Sequence, residues 1–206
     1  MKKSLKYIDL FAGAGGLSEG FIRAGFEPIA HVELDSAACF TLRTRMAYHW
    51  LKRHDRIDTY ADYLNAQLTR SEFYNQIPDR VIKSVIHAEI NEKSLSEIFR
   101  KVDTMLRDQK LDLIIGGPPC QAYSLVGRSR DRNNMKGDKR NYLYIHYAEF
   151  LRRYQPSYFV FENVTGLLSA KDSDDQFYFD KMRALFQKCG YETEYRTLSA
   201  EEYGVL

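Results

Sequence analysis

The sequence predicts an α/β fold built on a doubly wound, mostly parallel sheet. Three observations predict it. A short apolar segment runs straight into a glycine turn and a helix, the strand–helix unit then repeats, and later apolar runs end abruptly in residues able to do chemistry. The first strand covers residues 7–11, and Ala12-Gly13-Ala14-Gly15-Gly16 turns the chain into a helix over 17–24. Residues 28–34 form a second apolar strand. Asp35 then N-caps a helix over 36–50, on which Phe40, Leu42, Met46 and Ala47 recur at helical spacing. Two strand–helix units in succession require a parallel sheet with helices on its faces.

Residues 51–83 turn polar and charged, with a helical fragment over 60–68 and no clean strand, and read as an insertion on the domain edge. Val85-Ile86-His87 resumes as a strand and 95–106 is an amphipathic helix. The run 111–115, apolar except for Asp112, suits a central parallel strand. Residues 127–140 carry Arg128, Arg130, Arg132, Lys136, Lys139 and Arg140 against Asp131 and Asp138, and read as a mobile basic loop. A helix over 141–154, a strand over 158–161 closed by Glu162, a helix over 177–189 and a sixth strand over 191–198 complete the pattern.

The 206 residues suit one catalytic domain spanning 1–206. Thirty basic against twenty-eight acidic side chains leave a formal charge of +2, which neither demands nor excludes a nucleic-acid partner. Cys39, Cys120 and Cys189 are widely spaced, with no Cys-x-x-Cys and no signal-peptide pattern, as expected of a reduced, cytoplasmic protein. No apolar run approaches the roughly 20 residues that span a bilayer, so no membrane role is expected. His31, His49, His54, His87 and His146 show no metal-ligand spacing with Cys, Asp or Glu and read as structural or exposed.

Two constellations carry chemistry. In Gly116-Gly117-Pro118-Pro119-Cys120-Gln121, two prolines restrict the backbone before the cysteine and aim its sulfur from the end of an apolar strand, where open α/β sheets place ligands. Glu162-Asn163-Val164 follows another apolar strand, so Glu162 can protonate or hold an electrophile that the thiol attacks. The first glycine turn lets backbone amides approach a polar ligand, although it also serves as a simple tight turn. Ser18 occupies the third glycine position of Gly-x-Gly-x-x-Gly, which disfavours a dinucleotide pyrophosphate site. Glu33 either accepts from a ribose diol or is a solvated surface carboxylate.

Asp9-Leu10-Phe11-Ala12-Gly13-Ala14-Gly15-Gly16, Gly116-Gly117-Pro118-Pro119-Cys120-Gln121 and Glu162-Asn163-Val164, in this order, closely resemble the DNA cytosine-5 methyltransferases over almost the whole chain. The resemblance implies a Rossmann-like sheet of the S-adenosylmethionine-dependent methyltransferase type, with S-adenosyl-L-methionine as cofactor and DNA as substrate. It implies cofactor contacts at Phe11, Gly13, Gly15, Gly16, Leu17, Glu33 and Leu34, at Glu89 and Ile90 of Ala88-Glu89-Ile90, and at Pro118 and Leu143. Glutamate stands at 89 where the family commonly has aspartate. Cys120 is implied as the nucleophile at cytosine C6 and Glu162 as the group engaging N3 and the exocyclic amine. The catalytic loop, about 120–140, becomes a lid over a flipped base, with substrate or DNA contacts at Gln121, Ser124, Arg128, Arg130 and Asn163. Residues 198–205 resemble the start of the family's next motif, so the chain is expected to lack the C-terminal target-recognition region and to need a complementary chain for activity. RNA cytosine-5 methylation is the alternative reaction, and a non-catalytic binding or scaffold remnant is the alternative from another class.

Overall fold

The computed structural model describes residues 4–119 and 142–205. Cys120, Gln121, Ser124, Arg128 and Arg130, with the rest of the basic loop, lie outside the described residues. The chain divides into two compact units, one of Met1–Gly117 with Tyr154–Glu162 and one of Pro118–Arg153 with Asn163–Leu206.

The first unit holds a five-stranded parallel sheet in the order β3-β2-β1-β4-β5, made of β1 (Lys6–Leu10), β2 (Glu27–Glu33), β3 (Val85–His87), β4 (Leu113–Gly116) and β5 (Tyr158–Phe161). The chain starts at β1, builds outward through β2 and β3, then returns to the other side of β1 for β4 and β5. The switch point of this doubly wound sheet therefore lies between β1 and β4, and the crevice outside their carboxyl ends is where such sheets take ligands. Apolar side chains make β1 and β4 interior strands: Tyr7, Ile8, Leu10, Ile114 and Ile115 are all buried. On one face α1 (Gly16–Arg23) lays Leu17, Phe21 and Ile22 against Tyr7, Leu113 and Ile115.

The β1–β2 ladder carries an irregularity: Tyr7 pairs with Pro28 but Ile8 pairs with Ala30, so Ile29 has no opposite number. Proline cannot donate to a ladder, and within sheets it settles at edges and bulges.

Helix α2 (Ser36–Arg53) starts as the sequence predicts, with Asp35 Oδ1 accepting from the Ala38 amide at 2.7 Å, and buries Cys39, Leu42, Met46, Ala47 and Leu51. The polar insertion is more ordered than its composition implies. It folds as α3 (Asp58–Leu64), α4 (Arg70–Asn75) and α5 (Asp79–Lys83). The expected helix over 60–68 stops at Leu64, because Ala66 sits at φ +58 and Thr69 opens a new helix through a reciprocal cap with Glu72. Phe73 is fully buried there and gathers Trp50, Tyr60, Tyr63 and Tyr74 around Ala47, Leu51 and Ile77. Helix α6 (Leu95–Leu106) buries Ile98, Val102 and Leu106.

The second unit contains α7 (Leu143–Tyr154), a 3₁₀ turn (Thr165–Ser169) and α8 (Tyr178–Lys188). Phe186 of α8 meets Tyr147 of α7 at 6.0 Å between ring centroids. The sixth strand expected over 191–198 is not formed: these residues carry no strand pairing. An alternating apolar pattern becomes a strand only when a neighbour supplies the ladder, and the sheet of described residues ends at β5.

Candidate functional site

The carboxyl end of β1 is shaped by backbone geometry. Phe11 adopts φ +57, in the left-handed region that a bulky residue rarely enters, and Gly13 and Gly15 follow at φ +54 and +84. At φ +84 a side chain at Gly15 would be strained, and its Cβ would lie 2.8 Å from Leu42 Cδ2 where the turn seats against α2. Cβ atoms placed on Gly13 or Gly16 would meet nothing within 4 Å, so this side of the turn is open. Leu17, expected at the cofactor, packs its half-buried side chain on the core cluster below the turn.

Glu33 ends β2 and is fixed by two backbone donors. The Gly13 amide donates to Oε2 and the Asp35 amide to Oε1, each at 2.7 Å. One carboxylate thus ties the glycine turn to the start of α2 and keeps lone pairs free to accept from a ligand. Leu34 beside it is 59% exposed. After β3, Glu89 is exposed and accepts from Asn91 Nδ2 at 3.0 Å, its carbonyl accepts from Ser94 Oγ, and Ile90 is buried. Strand-end acceptors, an exposed apolar side chain and an open glycine turn stand together at the carboxyl ends of β1, β2 and β3.

Sequence reasoning assigned no role to Asp9 and read His31 only as structural or exposed. Asp9 is 1% exposed and its Oδ2 has no hydrogen-bond partner among the described residues. Burial, with the Glu33 carboxylate nearby, holds its carboxyl well above the usual range. The signal was a charged residue inside an otherwise apolar strand. Ser18, the residue that breaks the dinucleotide fingerprint, shares its hydroxyl with Tyr7 OH at 2.5 Å and His31 Nε2 at 2.8 Å. All three are buried, so the position that usually permits close helix–strand packing here carries a hydrogen-bonded link. Burial lowers the His31 pKa to about 4, which keeps the ring neutral in this link.

Beyond β4 and β5 the sheet carries its second feature. The Glu162 amide donates to Gly116 O at 2.9 Å, and a Cβ on Gly117 would collide with Glu162 Oε2. Gly117 lacks a side chain where the Glu162 carboxylate lies. That carboxylate has no hydrogen-bond partner among the described residues. In the second unit, Asn163 Nδ2 donates to Pro118 O at 3.1 Å, and half-buried Leu143 opens α7. The first unit thus brings together Phe11, Gly13, Glu33, Leu34, Glu89 and Glu162 at the carboxyl ends of one sheet, whereas Pro118, Leu143 and Asn163 belong to the second unit.

Sheet order and the glycine turn at the switch point define a doubly wound α/β protein, and the strand-end carboxylates stand where such sheets take ligands. The family model for C-5 cytosine-specific DNA methylases matches residues 5–70 and 67–206, and the chain belongs to that family. It is 38% identical over 204 residues to the type II methyltransferase M.Bpa9945I of Bacillus paralicheniformis, covering 89% of this chain and 45% of that protein. It is 36% identical over 200 residues to the type II methyltransferase M.XorII of Xanthomonas oryzae, covering 96% of this chain and 37% of that protein. A crystal structure of a candidate DNA modification methyltransferase encoded within an E. coli prophage matches with TM-score 0.51 and 26% identity over 90% of this chain and 38% of that one. The chain spans less than half the length of these relatives. Among the described residues, no helix is long and apolar enough to cross a membrane.

Proposed function

We propose that these residues form the cofactor-binding and catalytic portion of a DNA cytosine-5 methyltransferase that works through a covalent adduct between Cys120 and cytosine C6. The observation that carries this reading is Glu162 lying over a glycine that has no room for a side chain. Cys120 follows that glycine by three residues, so covalent geometry alone keeps its Cα within roughly 11 Å of Gly117. Glu162, with no protein partner among the described residues, engages N3 and the exocyclic amine of the ring. The Cys120 thiolate adds its electron pair to C6, and C5 becomes the nucleophilic carbon of an enamine. When bound, S-adenosylmethionine supplies an electrophilic methyl group to that carbon. Loss of the C5 proton and expulsion of the thiolate restore the aromatic ring and free the enzyme. Glu33 and Glu89 accept hydrogen bonds from the cofactor's nucleoside, with Phe11 and Leu34 against its base.

Target recognition then comes from polypeptide beyond these residues, in the same protein or in a complementary chain. Trapping on duplex DNA containing 5-fluorocytosine tests the proposal in the complete enzyme. The wild type forms a covalent protein–DNA species in the presence of S-adenosylmethionine, and Cys120→Ser forms none while still binding the cofactor. Trapping that persists in Cys120→Ser overturns the adduct, and methylation of transfer RNA in place of duplex DNA overturns the substrate.

A further inference from the structure

We propose that a groove along α2 is a second binding site and that it takes a nucleotide unit. The groove has a volume of about 640 Å³ and is lined by α2, α3 and α4 with Glu19 of α1. None of its lining residues is among Phe11, Gly13, Glu33, Leu34, Glu89 and Glu162 at the sheet's carboxyl ends. Pockets for small ligands run from about 300 to 1,000 Å³.

Aromatic rings form one wall. Tyr48 meets Tyr60 edge-on at 5.1 Å, Tyr60 lies 6.5 Å from Tyr63, and Tyr63 stacks on fully buried Phe73 at 4.5 Å. The three tyrosines are half-buried and still present ring surface, while Phe73 braces the wall from behind. Rings held this way offer a planar ligand a surface at low entropic cost.

Charge decides what kind of planar ligand. An aromatic wall beside a carboxylate would suit a quaternary ammonium ion, but Glu19 is already committed. Its carboxylate accepts from Arg23 Nε at 2.9 Å, His49 Nε2 at 2.9 Å and Arg45 at 3.4 Å. Burial alone would raise the Glu19 pKa, yet the His49 and Arg23 contacts outweigh it and hold the carboxyl below its ordinary value. Arg70, its guanidinium 3.6 Å from the centroid of the Phe40 ring, has no carboxylate partner among the described residues. Arg45 Nε is buried without a hydrogen-bond partner among them. The surplus is cationic. A ring that carries an anion satisfies both halves of the site, with the base on the tyrosine wall and the phosphate on Arg70.

Such a unit comes either as a free nucleotide or within a nucleic-acid strand. The test titrates the protein with thymidine 5′-monophosphate and, separately, with octathymidylate by calorimetry, with S-adenosylhomocysteine in excess so that the sheet-end crevice is filled. Wild type, Arg70→Glu and Tyr48→Leu are compared at matched melting temperature. Binding of both probes, weakened about tenfold or more by each substitution, supports the site and a strand as its source. Binding of the mononucleotide alone, with the same loss, supports a free nucleotide. Should Tyr48→Leu fail to fold, Arg70→Glu decides by itself, because exposed Arg70 has no ion pair among the described residues to lose. Absence of binding by the wild type, or binding unchanged in Arg70→Glu, overturns the proposal.

Discussion

Two glutamates end two strands of the same sheet, and their surroundings are opposite. Glu33, after β2, is held at both oxygens by the Gly13 and Asp35 amides. Glu162, after β5, has its backbone pinned to Gly116, and its carboxylate, over a glycine that makes space for it, has no hydrogen-bond partner among the described residues. A carboxylate clamped by the main chain is a fixed acceptor, suited to holding a ligand in one pose. One with open valences can change its hydrogen bonding as a reaction proceeds. On the proposed function, the difference separates binding from chemistry within one row of strand ends.

Substitutions in the complete enzyme break or sharpen that separation. Glu162→Gln is expected to have the largest effect, a loss of about 10²- to 10⁴-fold in methyl transfer, with cofactor affinity unchanged in an equilibrium binding assay. A parallel fall in cofactor affinity would erase the distinction. Gly117→Ala pushes a methyl group into the Glu162 carboxylate, and a misplacement of this size lowers the single-turnover rate by up to about 10²-fold, again without weakening the cofactor. Glu33→Gln acts on the other side. Glutamine brings one oxygen where two backbone amides need acceptors, so stability falls by about 1–3 kcal/mol in urea titrations. Cofactor affinity drops about tenfold, and the rate at saturating cofactor holds.

Asp9→Asn gives the smallest effect and tests the buried neighbour of Glu33. The Asp9 carboxyl is raised in the folded protein, so its favourable contribution is present below its unfolded value and is lost as pH rises toward the folded one. The variant should therefore gain stability relative to wild type as pH increases from about 4 to 8. A urea-midpoint difference that stays flat across that range would show that Asp9 ionises in the folded chain as freely as in the unfolded one.

Features that depend on near neighbours in sequence were legible in it. The strand–turn–helix opening, the Asp35 cap and α6 all rest on local chemistry, and the structure has them where the pattern predicts. Two failures have non-local causes. Residues 191–198 alternate like a strand, but a strand needs a partner across the ladder. The insertion reads as polar because its rings, Tyr60, Tyr63, Phe73 and Tyr74, are scattered over two short helices. Only folding gathers them against α2. The places of Glu33 and Glu162 at the ends of apolar strands were legible in the sequence. Nothing in the string of letters told the clamped one from the one without a partner among the described residues, because the difference lies in which backbone amides and which missing Cβ they meet.

The skipped residue in the β1–β2 ladder sets the reading frame of the crevice. Downstream of Ile29 the strands run in step, Ile8 with Ala30, Asp9 with His31 and Leu10 with Val32, and that phase sets Glu33 level with the turn it clamps. Side chains alternate along a strand, so closing the gap by one position would send Glu33 to the opposite face and turn His31 away from Ser18. Ile29 thus serves as a spacer whose worth lies in being counted: a change of its side chain leaves the phase intact, whereas its deletion shifts the β2 side chains that follow it.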